Sequence, residues 1–286
     1  MSLEVIRSVF EQMTMTRSWS VCLVKIKKSR TSGTAYATRG ITLKPDGALT
    51  EFIRRLSDAY VKQEIGNLRK YSSVCDYDGT TEAAKIYRLQ SDSQLIAYEF
   101  NSLISAFSTP EMAGNPFDFS ANAYALRATL RIGENDTPVF AFSMQNPICL
   151  LKNRFLYEDG SFHEIKDKVL NLRPTLDVLI VGKTIYLLSM AGENLFNMER
   201  SYKALCDATV FDICEAEIVA NTDAFSAIAK SGHNPRRFVS FNSGRLERMR
   251  VETVRRVMAK KFNLALLPDG KIDASVDGVA EINCTP

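Results

Sequence analysis

The spacing of apolar residues in the first part of the chain alternates between that of helices and that of strands. Apolar side chains from Leu3 to Met13 recur every three or four residues, which predicts a helix over residues 3–14. Apolar residues at every second position predict a strand over residues 19–26 instead. The same two criteria predict the other elements of this region: strands over residues 34–43 and 85–89, and helices over residues 49–65 and 91–107.

Beyond residue 120 the pattern becomes mostly that of strands. Two tight turns, Glu158–Ser161 and Gly182-Lys183, are each flanked by apolar runs, which is typical of β-hairpins. The predicted strands cover residues 124–132, 139–144, 148–157, 162–165, 177–181 and 184–188, and helical spacing follows over residues 194–230. Because hairpins and not helical crossovers join these strands, we predict an α+β fold with mixed, mostly antiparallel sheets and flanking helices.

Residues 109–120 separate the two patterns. This stretch carries two prolines and two candidate turns, and it follows the last predicted helix of the first region. We therefore place a domain boundary here. It divides an N-terminal α/β region, residues 1–110, from a C-terminal α+β domain, residues 120–286, which holds the hairpins and a basic helix.

Composition indicates an ordinary folded protein. Hydrophobic residues make up 45% of the 286 positions and charged residues 24%, which allows a sizeable core. The six cysteines are scattered without a C-x-x-C pair, so we expect free thiols in a reducing cytoplasm. The chain begins without the basic start and apolar run of a signal peptide, and Asp177 and Lys183 interrupt its most apolar stretch. We expect a cytoplasmic protein that does not itself insert into a membrane.

Positive charge is concentrated between Arg236 and Lys261, a stretch that we call the basic segment. It carries a net charge of +7, whereas the whole chain carries +3, so the other residues sum to −4. Such a concentration is typical of contact with a polyanion or another acidic partner. A smaller basic cluster would extend this surface if the fold brings it near; its members are Lys25, Lys27, Lys28 and Arg30.

Cap-type residues at positions 242–244 predict a helix from Arg245 to about Phe262. Projected at about 100° per residue, its apolar side chains share one broad face that would pack on the core. That face includes Val251 and Val257, and Arg250 and Lys261 lie among these positions and would have to reach outward. Most of the other basic side chains fall on the opposite face.

The basic segment has three interpretations, which stay open: a solvated helix face, a phosphate-contacting surface and a subunit interface. Arginine outnumbers lysine, which favours bidentate recognition of phosphate or carboxylate, and no feature indicates the reading of bases. The candidate contact residues are Arg236, Arg237, Arg245, Arg248, Arg255, Arg256 and Lys260, together with Lys25, Lys27 and Lys28.

No arrangement of residues clearly indicates catalysis, and we predict no catalytic residue, metal or cofactor. The two histidines, His163 and His233, lie in separate turns and do not match a zinc site or a histidine-based triad. Gly182-Lys183-Thr184 ends like a phosphate-binding P-loop, but Asp177 stands where that motif needs a glycine. We interpret these three residues as a hairpin turn.

A magnesium-dependent nuclease is the alternative among enzymes. Glu164 and Lys166 form an E-x-K pair, and Asp177 or Asp159 could supply a second carboxylate. Two carboxylates and a lysine can hold Mg²⁺ and activate water at a phosphodiester. Such pairs are common by chance, so this remains the second hypothesis, beside a protein-interaction scaffold whose basic surface meets an acidic partner.

The middle of the chain resembles a known family. The resemblance is carried by the order of Leu150–Phe155, Leu172-Arg173-Pro174, Asp177–Ile180, Ile185–Leu188, Asn194-Leu195-Phe196 and Glu199. This order resembles the KwaB-like family of the Kiwa anti-phage defence system, over roughly residues 120–270. The resemblance implies a bacterial defence protein that binds double-stranded phage DNA without strong sequence preference. It also implies a homodimer that works with a membrane-embedded partner subunit, which would recruit it to the inner membrane.

Overall fold

A computed structural model shows the chain as two compact units. The first comprises Met1–Asp76 and Glu82–Asn197, and the second comprises Tyr77–Thr81 and Met198–Pro286. The structure describes residues 3–15, 19–28, 36–43, 46–65, 70–80, 82, 84–108, 116–150, 155–164, 168–232, 234–241 and 243–274.

The first unit combines helices with strands. Its helices are α1 (Leu3–Met15), α2 (Gly47–Ala59) with a π-helical continuation (Tyr60–Glu64), α3 (Ala97–Ser108), a 3-10 turn (Pro116–Asp118) and α4 (Gly192–Leu195). Its strands are β1 (Ser20–Lys28), β2 (Tyr36–Leu43), β3 (Ser73–Asp76), β4 (Lys85–Gln90), β5 (Ala123–Ile132), β6 (Asn135–Ser143), β7 (Ile148–Leu150), β8 (Phe155–Glu158), β9 (Ser161–Glu164), β10 (Lys168–Leu170), β11 (Val178–Val181) and β12 (Thr184–Leu187).

Eight of these strands form one sheet in the order β2-β1-β5-β6-β11-β12-β4-β3. Every neighbouring pair is antiparallel except β3 and β4. Two-residue turns at Gly133-Glu134 and Gly182-Lys183 close the β5–β6 and β11–β12 hairpins, and both glycines adopt the positive φ that such turns favour. The predicted α+β fold with mostly antiparallel sheets is confirmed.

Helices cover both faces of this sheet. On one face Phe10 of α1 stacks on Tyr60, with ring centroids 4.6 Å apart, inside the largest buried cluster. On the other face Phe107 of α3 packs against Phe140 and Phe142 of β6, at 5.2 and 5.7 Å. The central strands are therefore buried on both sides, which accounts for their almost continuous apolar runs.

Asp177, at the start of β11, ties backbone segments of the first unit together. One carboxylate oxygen accepts a hydrogen bond from the backbone N–H of Met144 at 2.6 Å, and the other accepts one from the Ser189 hydroxyl. The backbone carbonyl of Asp177 also accepts the N–H of Leu188 at 2.8 Å. Both carboxylate oxygens thus serve internal bonds.

The division into units differs from the boundary predicted at residues 110–120. Strands β1 to β4 precede that stretch and β5 to β12 follow it, yet they share the eight-stranded sheet. The first unit therefore continues to Asn197. Residues 109–115 lie outside the described part of the chain.

The second unit is mostly helical. Its elements are α5 (Met198–Glu215), β13 (Val219–Ala220), α6 (Thr222–Ala229), a 3-10 helix (Asn234–Ser240), α7 (Ser243–Arg250), α8 (Glu252–Phe262) and β14 (Ile272–Asp273). Its core is built on Cys206, Ile213, Phe225, Phe238, Met249, Met258 and Ile272. Strand β14 pairs in parallel with β13, which fastens the chain after α8 to the loop after α5. Among the residues that the structure describes, no helix has both the length and the apolarity to cross a bilayer.

Candidate functional site

The basic segment does not form the single helix that its sequence predicts. It spans the end of the 3-10 helix, then α7 and α8, and the backbone of Val251 between these two helices is extended, with φ −80° and ψ 118°. The prediction of one helix over residues 245–262 is therefore wrong. Asn242, one of the predicted cap residues, lies outside the described residues.

Arg255 stabilises this break. Its guanidinium donates to the backbone carbonyls of Met249 and Arg250, at 2.8 Å each, and to that of Gly270, also at 2.8 Å. The last carbonyls of a helix have no partner within the helix, so a side chain that binds them lets α7 end there. The guanidinium of Arg255 is thus engaged inside the second unit and is only half exposed.

Arg236 is also engaged internally. Its Nε donates to the Tyr77 hydroxyl at 3.0 Å, and its guanidinium lies 5.9 Å from the centroid of the Tyr202 ring. The hydroxyls of Tyr77 and Tyr202 are hydrogen-bonded at 2.5 Å. These contacts hold residues 77–80 against the 3-10 helix, and Gly79 approaches closely: a Cβ on it would lie 2.3 Å from the carbonyl oxygen of Arg236.

Most of the remaining cations of the segment are exposed, whereas Arg245 is half-buried and donates to the Ser240 hydroxyl at 3.1 Å. Two form exposed ion pairs within α7 and α8: Arg250 with Glu247 at 3.5 Å, and Arg256 with Glu252 at 2.6 Å. Exposed pairs of this kind contribute little and are readily exchanged for another anion. The expectation that Arg250 reaches outward is confirmed, since 53% of its side chain is exposed.

Three exposed cations have no carboxylate partner in the described part of the chain. They are Arg248, Lys260 and Lys261. Arg248 donates only from Nε to a carbonyl of its own helix, at 3.3 Å from the oxygen of Gly244. These side chains carry the charge that the segment presents to solvent most openly.

The break at Val251 also produces a cleft of about 220 Å³ between α7 and α8. Its lining combines apolar and basic side chains: Arg245, Arg248, Met249, Val254, Val257, Met258 and Lys261. Val257 was placed on the core-facing side of the predicted helix but is 68% exposed, and Val251 is 50% exposed. The sequence therefore gave no sign of this cleft, because the projection assumed a helix without a break.

The family model described as Kiwa protein KwaB-like matches residues 121–282, more than half of the chain. The chain belongs to this family. The match confirms the resemblance seen in the sequence, and it covers all of the basic segment and the elements from α5 to β14. Membership suggests a subunit of the Kiwa anti-phage defence system. No curated protein and no solved structure matches the chain.

The three candidate lysines of β1 lie in the first unit of this KwaB-like chain, whereas the seven candidates of the basic segment lie in the second. Lys27 and Lys28 are exposed at the end of the strand, and Lys25 is half-buried opposite Arg39 of β2. Arg30, which the sequence grouped with them, lies outside the described residues.

The candidate nuclease residues that the structure describes, Glu164, Asp159 and Asp177, do not form a recognisable centre. Asp177 is occupied by its two internal hydrogen bonds, Glu164 ends the exposed β8–β9 hairpin, and Asp159 lies in the turn of that hairpin with φ 49°. Within the described ranges, no group of three or more His, Cys, Asp and Glu residues could hold a metal ion. Lys166 and His233 lie outside those ranges.

Proposed function

We propose that this protein is a DNA-binding subunit of a Kiwa anti-phage defence system that contacts the phosphate backbone of double-stranded phage DNA through the basic segment. The observation that carries the proposal is the set of exposed cations without carboxylate partners among the described residues, Arg248, Lys260 and Lys261. Phosphates release condensed counterions when such side chains neutralise them, which supplies most of the affinity of sequence-independent binding.

The candidate contact residues divide into two groups. Arg236 and Arg255 are committed to a tyrosine hydroxyl and to backbone carbonyls, so they support the surface and do not reach the DNA. Arg237, Arg245, Arg248, Arg256 and Lys260 are the proposed phosphate contacts, with Lys261 added to them. The same proposal includes contact of DNA with Lys25, Lys27 and Lys28, which belong to the other unit.

The proposed binding is independent of base sequence. Specific recognition of bases requires side chains that present paired donors and acceptors to base edges, such as asparagine and glutamine, or arginines placed in a groove by a docking helix. Helices α7 and α8 carry no asparagine or glutamine. The cations of the two helices lie beside ion-paired glutamates and an apolar cleft. These surroundings favour contact of the cations with phosphates over contact with base edges.

The experiment measures the affinity for random-sequence duplex DNA over a series of salt concentrations. Arg248→Gln combined with Lys260→Gln should lower the affinity and reduce the slope of log K against log salt by about two, since each phosphate contact contributes about 0.9. Lys203→Gln removes an exposed lysine from α5 of the same unit and should leave the slope unchanged. If the double variant keeps the affinity and the slope, the basic segment is not the DNA contact.

We also propose that the protein acts as a homodimer with a membrane-embedded partner subunit that recruits it to the inner membrane. This part rests on family membership. Light scattering on the purified protein tests the dimer, and a monomer at micromolar concentration would contradict it. Fractionation of cells with and without the partner gene tests recruitment, which fails if the protein is found equally at the membrane in both.

A further inference from the structure

The cleft between α7 and α8 has a chemistry that phosphate binding does not use. Its floor is formed by Met249 and Met258, which are 3% and 6% exposed, and its walls by Val254 and Val257. None of these four side chains carries a nitrogen or oxygen atom. Charged phosphates gain nothing from contact with such a floor, because burying them against apolar side chains would cost their hydration.

The size and lining of the cleft indicate which kind of ligand it can bind. A volume of about 220 Å³ lies below the range of roughly 300–1,000 Å³ typical of small-molecule sites, so one or two apolar side chains fit it better than a cofactor. A nucleobase is disfavoured because its polar edges would face methyl and thioether groups without hydrogen bonds. An aliphatic or aromatic side chain has no such edges, and the flexible methionines can adapt to its shape.

The rim of the cleft is basic, so the residues of the ligand next to the inserted apolar side chain should be acidic. Arg245, Arg248 and Lys261 line it, and none of its lining residues in the described part of the chain is a carboxylate. Of these, Arg248 and Lys261 lack an ion-pair partner among the described residues. A ligand with carboxylates on either side of an apolar anchor would complement both the floor and the rim, as acidic peptides do in grooves of this kind.

We propose that the cleft binds a short acidic segment of a partner protein, which inserts one apolar side chain between α7 and α8 and pairs its carboxylates with Arg245, Arg248 and Lys261. This site goes beyond the proposed DNA contact, because its ligand is a protein and its floor takes no part in phosphate binding. Arg245, Arg248 and Lys261 serve both surfaces, so the acidic segment and DNA exclude each other.

The test uses the full chain and three fluorescent synthetic peptides of equal length. The first carries glutamates around one central leucine, the second replaces that leucine with serine, and the third replaces the glutamates with lysines. We expect the first to bind, the second to bind about ten-fold more weakly, and the third not to bind. Equal binding of the leucine and serine peptides would show a charge effect without insertion and would overturn the proposal.

Two matched valine variants locate the binding. Val257→Ser removes a wall of the cleft, whereas Val251→Ser removes another exposed valine of the same helix pair that does not line it. Peptide affinity should fall several-fold in the first variant only, and duplex DNA affinity should be unchanged in both, because neither alters a charge. If both variants bind the peptide equally, or if Val257→Ser weakens single-stranded DNA and not the peptide, the cleft does not bind an acidic segment.

Excess leucine peptide should also displace duplex DNA from the protein. The two proposals can fail separately. If the protein does not bind DNA at all, the displacement cannot be measured, but the direct titration with peptide still tests the cleft. Binding of both ligands at the same time would contradict the shared use of Arg245, Arg248 and Lys261.

Discussion

In each of the two units a charged side chain joins several backbone segments, but the two charges have opposite sign and different consequences. In the first unit the Asp177 carboxylate collects a backbone N–H and a hydroxyl where β6 ends and β12 turns away. In the second unit the Arg255 guanidinium collects three carbonyls where α7 ends. Asp177 and Arg255 are both candidates for a functional role by their charge, yet both make hydrogen bonds that support the fold. The hydrogen-bond partners of a charged residue therefore help to distinguish a structural role from a functional one.

The surroundings of the two residues differ. Asp177 lies in a unit whose strands are paired across an eight-stranded sheet, so many other bonds fix the same segments. Arg255 lies in a unit whose described strands have only two residues each, so the segments that it joins, the end of α7 and Gly270, are not paired with each other in a sheet. Perturbing the second unit should therefore cost more than an equivalent change in the first.

The largest expected effect comes from Gly79→Ala. The added Cβ would lie 2.3 Å from the Arg236 carbonyl oxygen, and φ at Gly79 is +86°, so residues 77–80 must move away from the 3-10 helix. We expect a loss of about 2–4 kcal/mol in the free energy of unfolding of the second unit, measured by chemical denaturation. Gly232→Ala is the control, because φ there is +52° but nothing lies within 4 Å of the new Cβ; similar losses in both variants would show that only backbone strain matters.

The next effect is that of Arg255→Gln. Glutamine cannot reach three carbonyls at once, so the end of α7 loses its partners and we expect a loss of about 2–3 kcal/mol. Arg256→Gln, one residue along, removes only an exposed ion pair and should change stability little. Denaturation curves of the two variants would coincide if Arg255 were merely another surface cation.

The smallest effect is expected for Asp177→Asn in the first unit. The amide oxygen can still accept from the Met144 N–H, but the NH2 then faces the Ser189 hydroxyl, which must turn its own proton away and accept. Replacing two bonds to a charged carboxylate by weaker neutral ones should cost about 1–2 kcal/mol. Glu164→Gln, in the exposed β8–β9 hairpin, should leave stability unchanged. A rise in the melting temperature on addition of Mg²⁺ that both substitutions abolish would instead restore the metal-dependent nuclease hypothesis.

The elements of the first unit were largely predictable because their signals are local. A two-residue turn with a glycine between apolar runs fixes the β11–β12 hairpin, and the apolar spacing of residues 3–14 fixes α1. The helix predicted over residues 91–107 begins only at Ala97, since residues 91–96 form turns. Turn content could not reveal that strands on both sides of residues 109–120 share one sheet, because strand pairing depends on distant partners.

The candidate site was less predictable for the same reason. No glycine or proline in the sequence marks the break between α7 and α8 at Val251. The break is supported by hydrogen bonds of Arg255, four residues later, to the end of α7 and to Gly270 beyond α8. The concentration of charge was visible in the sequence. Its division into internal supports, exposed cations and a cleft with an apolar floor required the positions of the hydrogen-bond partners.

The placement of Tyr77–Thr81 in the second unit has a consequence for dissecting the molecule. A fragment that begins at Met198 contains every described helix of that unit, but it lacks Tyr77, a hydrogen-bond partner of Arg236, and the close approach of Gly79 to the Arg236 backbone. The family match over residues 121–282 leaves out the same five residues. We therefore expect a fragment of the second unit to need residues 77–81, joined to it or added as a separate peptide, before its stability can be compared with that of the same unit in the full chain.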